Sequence, residues 1–227
     1  MEILKRDDMP VSGFADIIET RLVVDKKLPW SSNVPNAWDG MGSFVYLADA
    51  GCKGGGDTRM HPHKEVDVIT IMIDGRFTHE GTLEHGLDIN PNQVQVQRAG
   101  GEGFSHNEVN PDAKQNRLLQ VWALPETSGE KAGYKFYDLT QGELTRVYGG
   151  SGDSEQNETF ASKTIIEAGL LNEGMEINKE GEFMAYIARG TGNINGEDVS
   201  EGDLVRGEGL DFKSSSNDLY LFLVTTI

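Results

Sequence analysis

An all-β fold is what the sequence predicts, on three observations. Short apolar or alternating runs recur along the whole chain, clusters of Gly, Asn, Asp and Pro separate them, and amphipathic helical periodicity is almost absent. Many short strands with regular turn signals close into a barrel or a sandwich. The chain has 227 residues, of which 37% are apolar, so it can bury a real core as one large domain or two small ones.

Taken in order, Ile17-Ile18 and Leu22-Val23-Val24 suit strands better than a long helix. Trp30 to Gly42 is rich in Ser, Asn, Pro and Gly and reads as loop, and Ser43 to Ala48 reads as a strand. The Gly54-Gly55-Gly56 cluster lacks the Lys-Ser/Thr ending of a phosphate-binding loop and serves as a flexible entry to the next strand. From Met60 to Ile73 the alternation places His61, His63, Glu65, Asp67, Ile69, Ile71 and Ile73 on one strand face. Asp74-Gly75 predicts a hairpin turn. Gln93 to Gln97 alternates strictly, as a half-buried strand does, and Gly100, Gly101 and Gly103 mark a tight turn before His106. Arg117 to Leu124 is a further strand, ended by Pro125. Thr127 to Gly133 reads as a linker, Tyr134 to Tyr148 as two short strands, and Gly149 to Glu158 as exposed loop. A second run of strand and turn signals follows, at Thr164 to Ile166, Phe183 to Ala188, Gly190 to Ile194 with Asn195-Gly196, Gly202 to Val205 and Leu219 to Thr225.

Charge and cysteine content narrow the function classes. Lys and Arg number 20 against 37 Asp and Glu, a formal charge of -17 spread along the chain, which repels phosphate backbones and anionic lipid and argues against direct nucleic-acid binding. Cys52 is the single cysteine, so no intrachain disulfide forms; it reads as an ordinary thiol in a reducing compartment. Met1 to Phe14 has no apolar signal region and Leu219 to Ile227 is too short to cross a bilayer, so a soluble, cytoplasmic protein is expected.

The chemistry concentrates in two short stretches. In His61-Pro62-His63 the two imidazoles share a strand face and can serve one metal ion, and Pro62 places them at a strand start or bulge, hence at a barrel rim. His106 and Glu108 repeat the arrangement with a histidine and a carboxylate. Three imidazoles and a carboxylate suit Fe(II), Mn(II), Ni(II), Cu(II) or Zn(II), with positions left for water, dioxygen or a substrate oxygen. Asp67, on the same predicted face, is the alternative carboxylate ligand; otherwise it is expected to orient an imidazole. Glu65 is expected to be a solvated rim residue, and His79 and His85 surface residues. No histidine follows His106, so the second half cannot repeat the site.

These residues resemble the motifs of the cupin superfamily. Gly55, His61, His63, Asp67 and Gly75 fit its first motif loosely, and Gly103, His106 and Asn110 fit the second. HPH followed by H-x-E, then Trp122 to Pro125, resembles the pirin-like proteins, over residues 13 to 125 and beyond them by layout and length. The departures are Lys64-Glu65-Val66-Asp67, where the family commonly has Arg-Gly-Phe-Glu, and Asn107, where it commonly has serine. The resemblance implies a bicupin: a metal-binding barrel over 1–125 and a barrel without ligands over 126–227. It implies His61, His63, His106 and Glu108 as metal ligands and iron as the metal. It further implies an oxygenase of the quercetin 2,3-dioxygenase type acting on flavonol-like aromatics, with Glu108 as general base, or else a non-enzymatic regulator that binds a protein partner according to the metal's redox state.

Overall fold

A computed structural model describes residues 1–34, 36–150 and 158–227. Apart from two single 3-10 turns, Arg6–Asp8 and Ser31–Asn33, its regular elements among these residues are all strands. Among the described residues no helix is long and apolar enough to cross a membrane.

The chain divides into two units, Met9–Asp138 and Met1–Asp8 with Leu139–Ile227. Each is built on β-sheet. The division falls after Asp138, later than the boundary expected at residue 125, because Gly133–Asp138 pairs with Gln93–Arg98 along its whole length. The N-terminal strand Glu2–Lys5 instead pairs with Asp203–Ser214.

In the unit Met9–Asp138 a seven-stranded antiparallel sheet runs in the order Gly133–Asp138, Gln93–Arg98, Asp67–Asp74, Arg117–Ala123, Phe44–Cys52, Ile17–Val24, Val11–Phe14. A four-stranded sheet runs His61–His63, Phe104–Val109, Phe77–Gly81, Leu87–Ile89. Apolar side chains from both sheets, among them Ile17, Met72, Phe77, Ile89 and Leu118, form a buried cluster. Phe44–Cys52 is buried at every position, which explains its near-continuous apolar run.

Three expectations change here. The stretch from Met60 to Ile73 is two strands in two sheets: the chain breaks between His63 and Asp67, where Glu65 adopts φ 53°. A non-glycine residue in the left-handed region ends strand parity, so Asp67 does not inherit the histidines' face. Gly75 makes a turn with φ 70°, and a Cβ there would lie 2.7 Å from that of Asn116. It is a corner, since Asp67–Asp74 and Phe77–Gly81 pair with different neighbours. Thr127 to Gly133 packs within the unit: the Gly129 amide donates to Glu65 Oε1 at 3.0 Å, and Glu130 pairs with Arg98 at 3.1 Å.

In the other unit one eight-stranded sheet carries the long strands Ser162–Leu171, Glu176–Arg189, Asp203–Ser214 and Leu219–Thr226. Asn195-Gly196, with φ 52° and 89°, forms the hairpin its sequence predicts, joining Thr191–Ile194 to Glu197–Ser200. The loop expected over Gly149 to Glu158 falls mostly outside the described residues. Gly149 and Gly150 themselves are buried at the end of the strand Glu143–Gly150.

Candidate metal centre and its cavity

Antiparallel pairing of His61–His63 with Phe104–Val109 sets His106 opposite His61 and Phe104 opposite His63. Residues directly opposite and two apart share a face, so the three imidazoles meet. His106 Nε2 lies 3.1 Å from His61 Nε2 and 3.1 Å from His63 Nε2. The ring centroids are 4.6 to 4.9 Å apart. Among the described residues this trio is the group of His, Cys, Asp or Glu side chains arranged to hold a metal ion.

The donor set fits a divalent transition metal. His61 Nδ1 is 2.7 Å from the Arg59 carbonyl, a contact that needs the Nδ1–H tautomer and leaves the Nε2 lone pair toward the other rings. Three such lone pairs at this spacing repel one another unless a proton or a cation lies among them. Protons are held poorly here. Burial first, and then the neighbouring imidazole, push His63 down to about 4; burial and the surrounding histidines push His106 down to about 2.

Glu108 lies two residues along the same strand and shares the inner face with His106, yet its carboxylate is held apart from the trio. Thr70 Oγ1 donates to Oε1 at 2.8 Å and Gln95 Nε2 donates to the same oxygen at 2.7 Å. Thr58 Oγ1 accepts from the Glu108 backbone amide at 2.9 Å, and the Tyr134 hydroxyl donates to Gln95 Oε1 at 3.2 Å. Burial raises the Glu108 carboxyl to about 7, against the opposing pull of the Thr70 and Gln95 hydrogen bonds.

Other predicted site residues take different places. Asp67 is fully buried and pairs with Arg98 at 3.2 Å, which occupies the alternative carboxylate with a guanidinium. Glu65 is half-buried and accepts from Ser128 and Gly129, so it braces a loop instead of facing solvent. His85 is exposed as expected, but His79 is fully buried. Its Nε2 is 2.9 Å from the Leu83 carbonyl, and its ring centroid is 5.5 Å from that of His106. The reason is register: His79 is the cross-strand partner of Glu108 and points inward with it.

Sequence reasoning missed the polar network around Glu108 and His79, formed by Thr58, Thr70, Gln95, Gln97 and Tyr134. The strict QVQVQ alternation was its signal. A half-buried strand was expected, but every residue from Val94 to Arg98 is buried, so both faces are covered and Gln95 and Gln97 lie inside the unit.

The three histidines and Glu108 open on one cavity of about 430 Å³, within the range of small-molecule sites. Its wall is aromatic: Trp30, Tyr46 and Trp122 pack on one another with centroids 4.7 to 6.1 Å apart, and Phe14 stands edge-on to His61 at 6.0 Å.

Residues 37–123 match the Pirin family model. A quercetin 2,3-dioxygenase of Escherichia coli K12 is 24% identical over 149 residues, covering 63% of this chain and 64% of that protein. A Zymomonas mobilis protein provisionally given the same name is 29% identical over 152 residues, covering 63% and 64%. The matched part thus spans less than two thirds of the length of these relatives. Among solved structures, the Escherichia coli bacterial pirin YhhW in complex with nickel(II) superposes with a TM-score of 0.82 at 17% identity, over 98% of this chain and 97% of that one. At that identity the likeness shows the fold.

Proposed function

We propose that this pirin-like chain of the cupin superfamily is a metal-dependent oxygenase acting on a small aromatic substrate of the flavonol type, the quercetin 2,3-dioxygenase reading. One observation carries it: three convergent imidazole Nε2 atoms and a buried carboxyl face the same aromatic-walled cavity. Relatives with that name support the substrate class. His61, His63 and His106 would hold the ion, and Glu108, as a fourth ligand, would reach it through Oε2 only while that oxygen carries no proton. Iron is the first metal to test, with nickel next because a related fold is known with it.

A divalent ion at the trio supplies Lewis acidity toward a substrate hydroxyl and, where redox-active, a means of engaging dioxygen. The protein's own groups do the rest. The wall formed by Trp30, Tyr46 and Trp122 receives the planar rings and excludes water. Glu108, with an affinity for protons near neutrality, accepts the hydroxyl proton. Thr70 and Gln95 both bind Oε1, so Oε2 is the oxygen that takes it. The wall and the acid–base group are thus set before substrate arrives, which lowers the cost of ordering at reaction.

The test is aerobic incubation of the protein loaded in turn with Fe(II), Ni(II) and Mn(II) in the presence of quercetin. Loss of flavonol absorbance matched by dioxygen uptake is expected with at least one metal, and Glu108→Gln should slow it about a hundredfold. No loss with any of them rejects the substrate assignment.

A further inference from the structure

The cavity has a second polar pole, contributed by the seven-stranded sheet. Glu19, Arg21, Trp30 and Tyr46 line the same space as the histidines. Glu19 is 3% exposed and its charge is fully engaged: Arg21 donates to Oε1 from Nε at 2.8 Å and from Nη2 at 2.6 Å, and the Tyr46 hydroxyl donates to Oε2 at 2.7 Å. The Arg21 guanidinium lies 5.3 Å over the Trp30 ring. A carboxylate on one edge and an indole on one face hold that planar group in a single orientation. A guanidinium has five N–H donors; Glu19 takes one each from Nε and Nη2 and the Tyr46 hydroxyl oxygen engages the group as well, which still leaves donors for a ligand in the cavity.

A buried ion pair that served stability alone would be a poor investment of desolvation energy at a cavity wall. This one carries its cation at the cavity surface. The histidines do not need it, because their carboxylate lies elsewhere. The wall between the two poles is aromatic, as a planar ligand spanning them requires.

We infer that Arg21, oriented by Glu19 and Trp30, is a specificity-determining residue that binds an oxygen substituent at the end of the aromatic substrate away from the metal-binding end. The substrate class is therefore a planar aromatic bearing acidic hydroxyl or carboxylate oxygens at both ends. This rests on the oxygenase reading for the position of the first end.

Binding measured without turnover tests it, by quenching of tryptophan fluorescence in anaerobic, Ni(II)-loaded protein; Trp30 and Trp122 line the cavity. The probes are quercetin and 3-hydroxyflavone, which keeps the chelating hydroxyl and ketone and lacks every other hydroxyl. Wild-type protein should bind quercetin about tenfold more tightly, the worth of one hydrogen bond to a charged group. Arg21→Lys retains the charge opposite Glu19 but loses the fork, and should cut the preference below about threefold while leaving 3-hydroxyflavone affinity within about twofold. The 3-hydroxyflavone arm also reports whether the variant is folded. Glu19→Gln should produce a smaller loss in the same direction. Equal affinity of wild-type protein for both flavonols, or an unchanged preference in Arg21→Lys, overturns the Arg21 assignment and leaves the oxygenase reading standing. Failure of wild-type protein to bind 3-hydroxyflavone overturns both.

Discussion

The interior of the unit Met9–Asp138 and that of the unit containing Leu139–Ile227 are made from the same strand-and-turn chemistry and both hold apolar clusters, but they differ in the polar groups buried beside them. In the second, Leu171, Phe183, Ile187, Val205, Phe212, Leu221 and Leu223 form one apolar cluster, and the buried polar groups, Thr164, Glu167 and Asp203 among them, include no histidine. In the first, Thr70, His79, Gln95, Gln97, His106 and Glu108 are all buried, and a cavity opens beside them. Apolar side chains interdigitate to close packing. Side chains that must aim hydrogen bonds at particular partners cannot also fill every gap, and their polar atoms have to be satisfied in place. An all-β scaffold thus becomes a filler or a container according to what stands at its inward positions.

The largest contrast should appear in metal content. His106→Ala removes the imidazole shared by both 3.1 Å contacts, so elemental analysis of protein purified without a metal-binding tag should find at least tenfold less metal than in wild type. Equal content in the two proteins ends the site hypothesis. In the filled interior, Phe212→Ala empties a fully buried position and should cost about 3–5 kcal/mol in denaturant unfolding, with metal content per folded molecule unchanged.

The container should also show a pH signature that the filler lacks. In metal-free protein the folded state holds the Glu108 proton more tightly than the unfolded chain, at about 7 against an ordinary 4.5. This contribution is fully present below pH 4.5 and is lost as pH rises through 7, a span of roughly 3 kcal/mol. His63 and His106 act in the opposite sense, because their folded-state values are depressed: their contribution is present above 6.5 and is lost as pH falls. Subtracting the stability curve of Glu108→Gln from that of wild type isolates the carboxyl, and a flat difference between pH 5 and 8 would show that Glu108 titrates normally. A smaller effect is expected from Gln95→Leu, which makes the container more like the filler. It strips one of two donors from Glu108 Oε1 and should cost about 1–3 kcal/mol despite adding apolar surface. Smallest of all, Cys52, buried and with its thiol raised to about 11 chiefly by that burial, should resist thiol reagents in native protein and react once unfolded.

Much of the container was legible in the residues. His61, His63 and His106 come together as expected: local backbone geometry puts His61 and His63 on one face, and pairing with the distant strand Phe104–Val109 sets His106 opposite His61. Parity failed where one residue left the β region: Glu65 breaks the run, so Asp67 meets Arg98. His79 was misread for a related reason, since a histidine after a turn looks exposed until its strand is known to lie opposite Glu108.

From the order of residues alone follow the all-β class, the hairpin at Asn195-Gly196, the shared face of His61 and His63 and the absence of histidine after His106, each resting on local conformational preference or composition. Pairing between strands distant in the chain settled the remainder. It turned the glutamines of Gln93–Arg98 inward, placed Thr70 and Gln95 on Glu108 apart from the histidines, and brought Arg21 and Trp30 to the lining of the same cavity. Those contacts join residues many positions apart, so the alternation that identifies a strand leaves open which of its faces meets the interior.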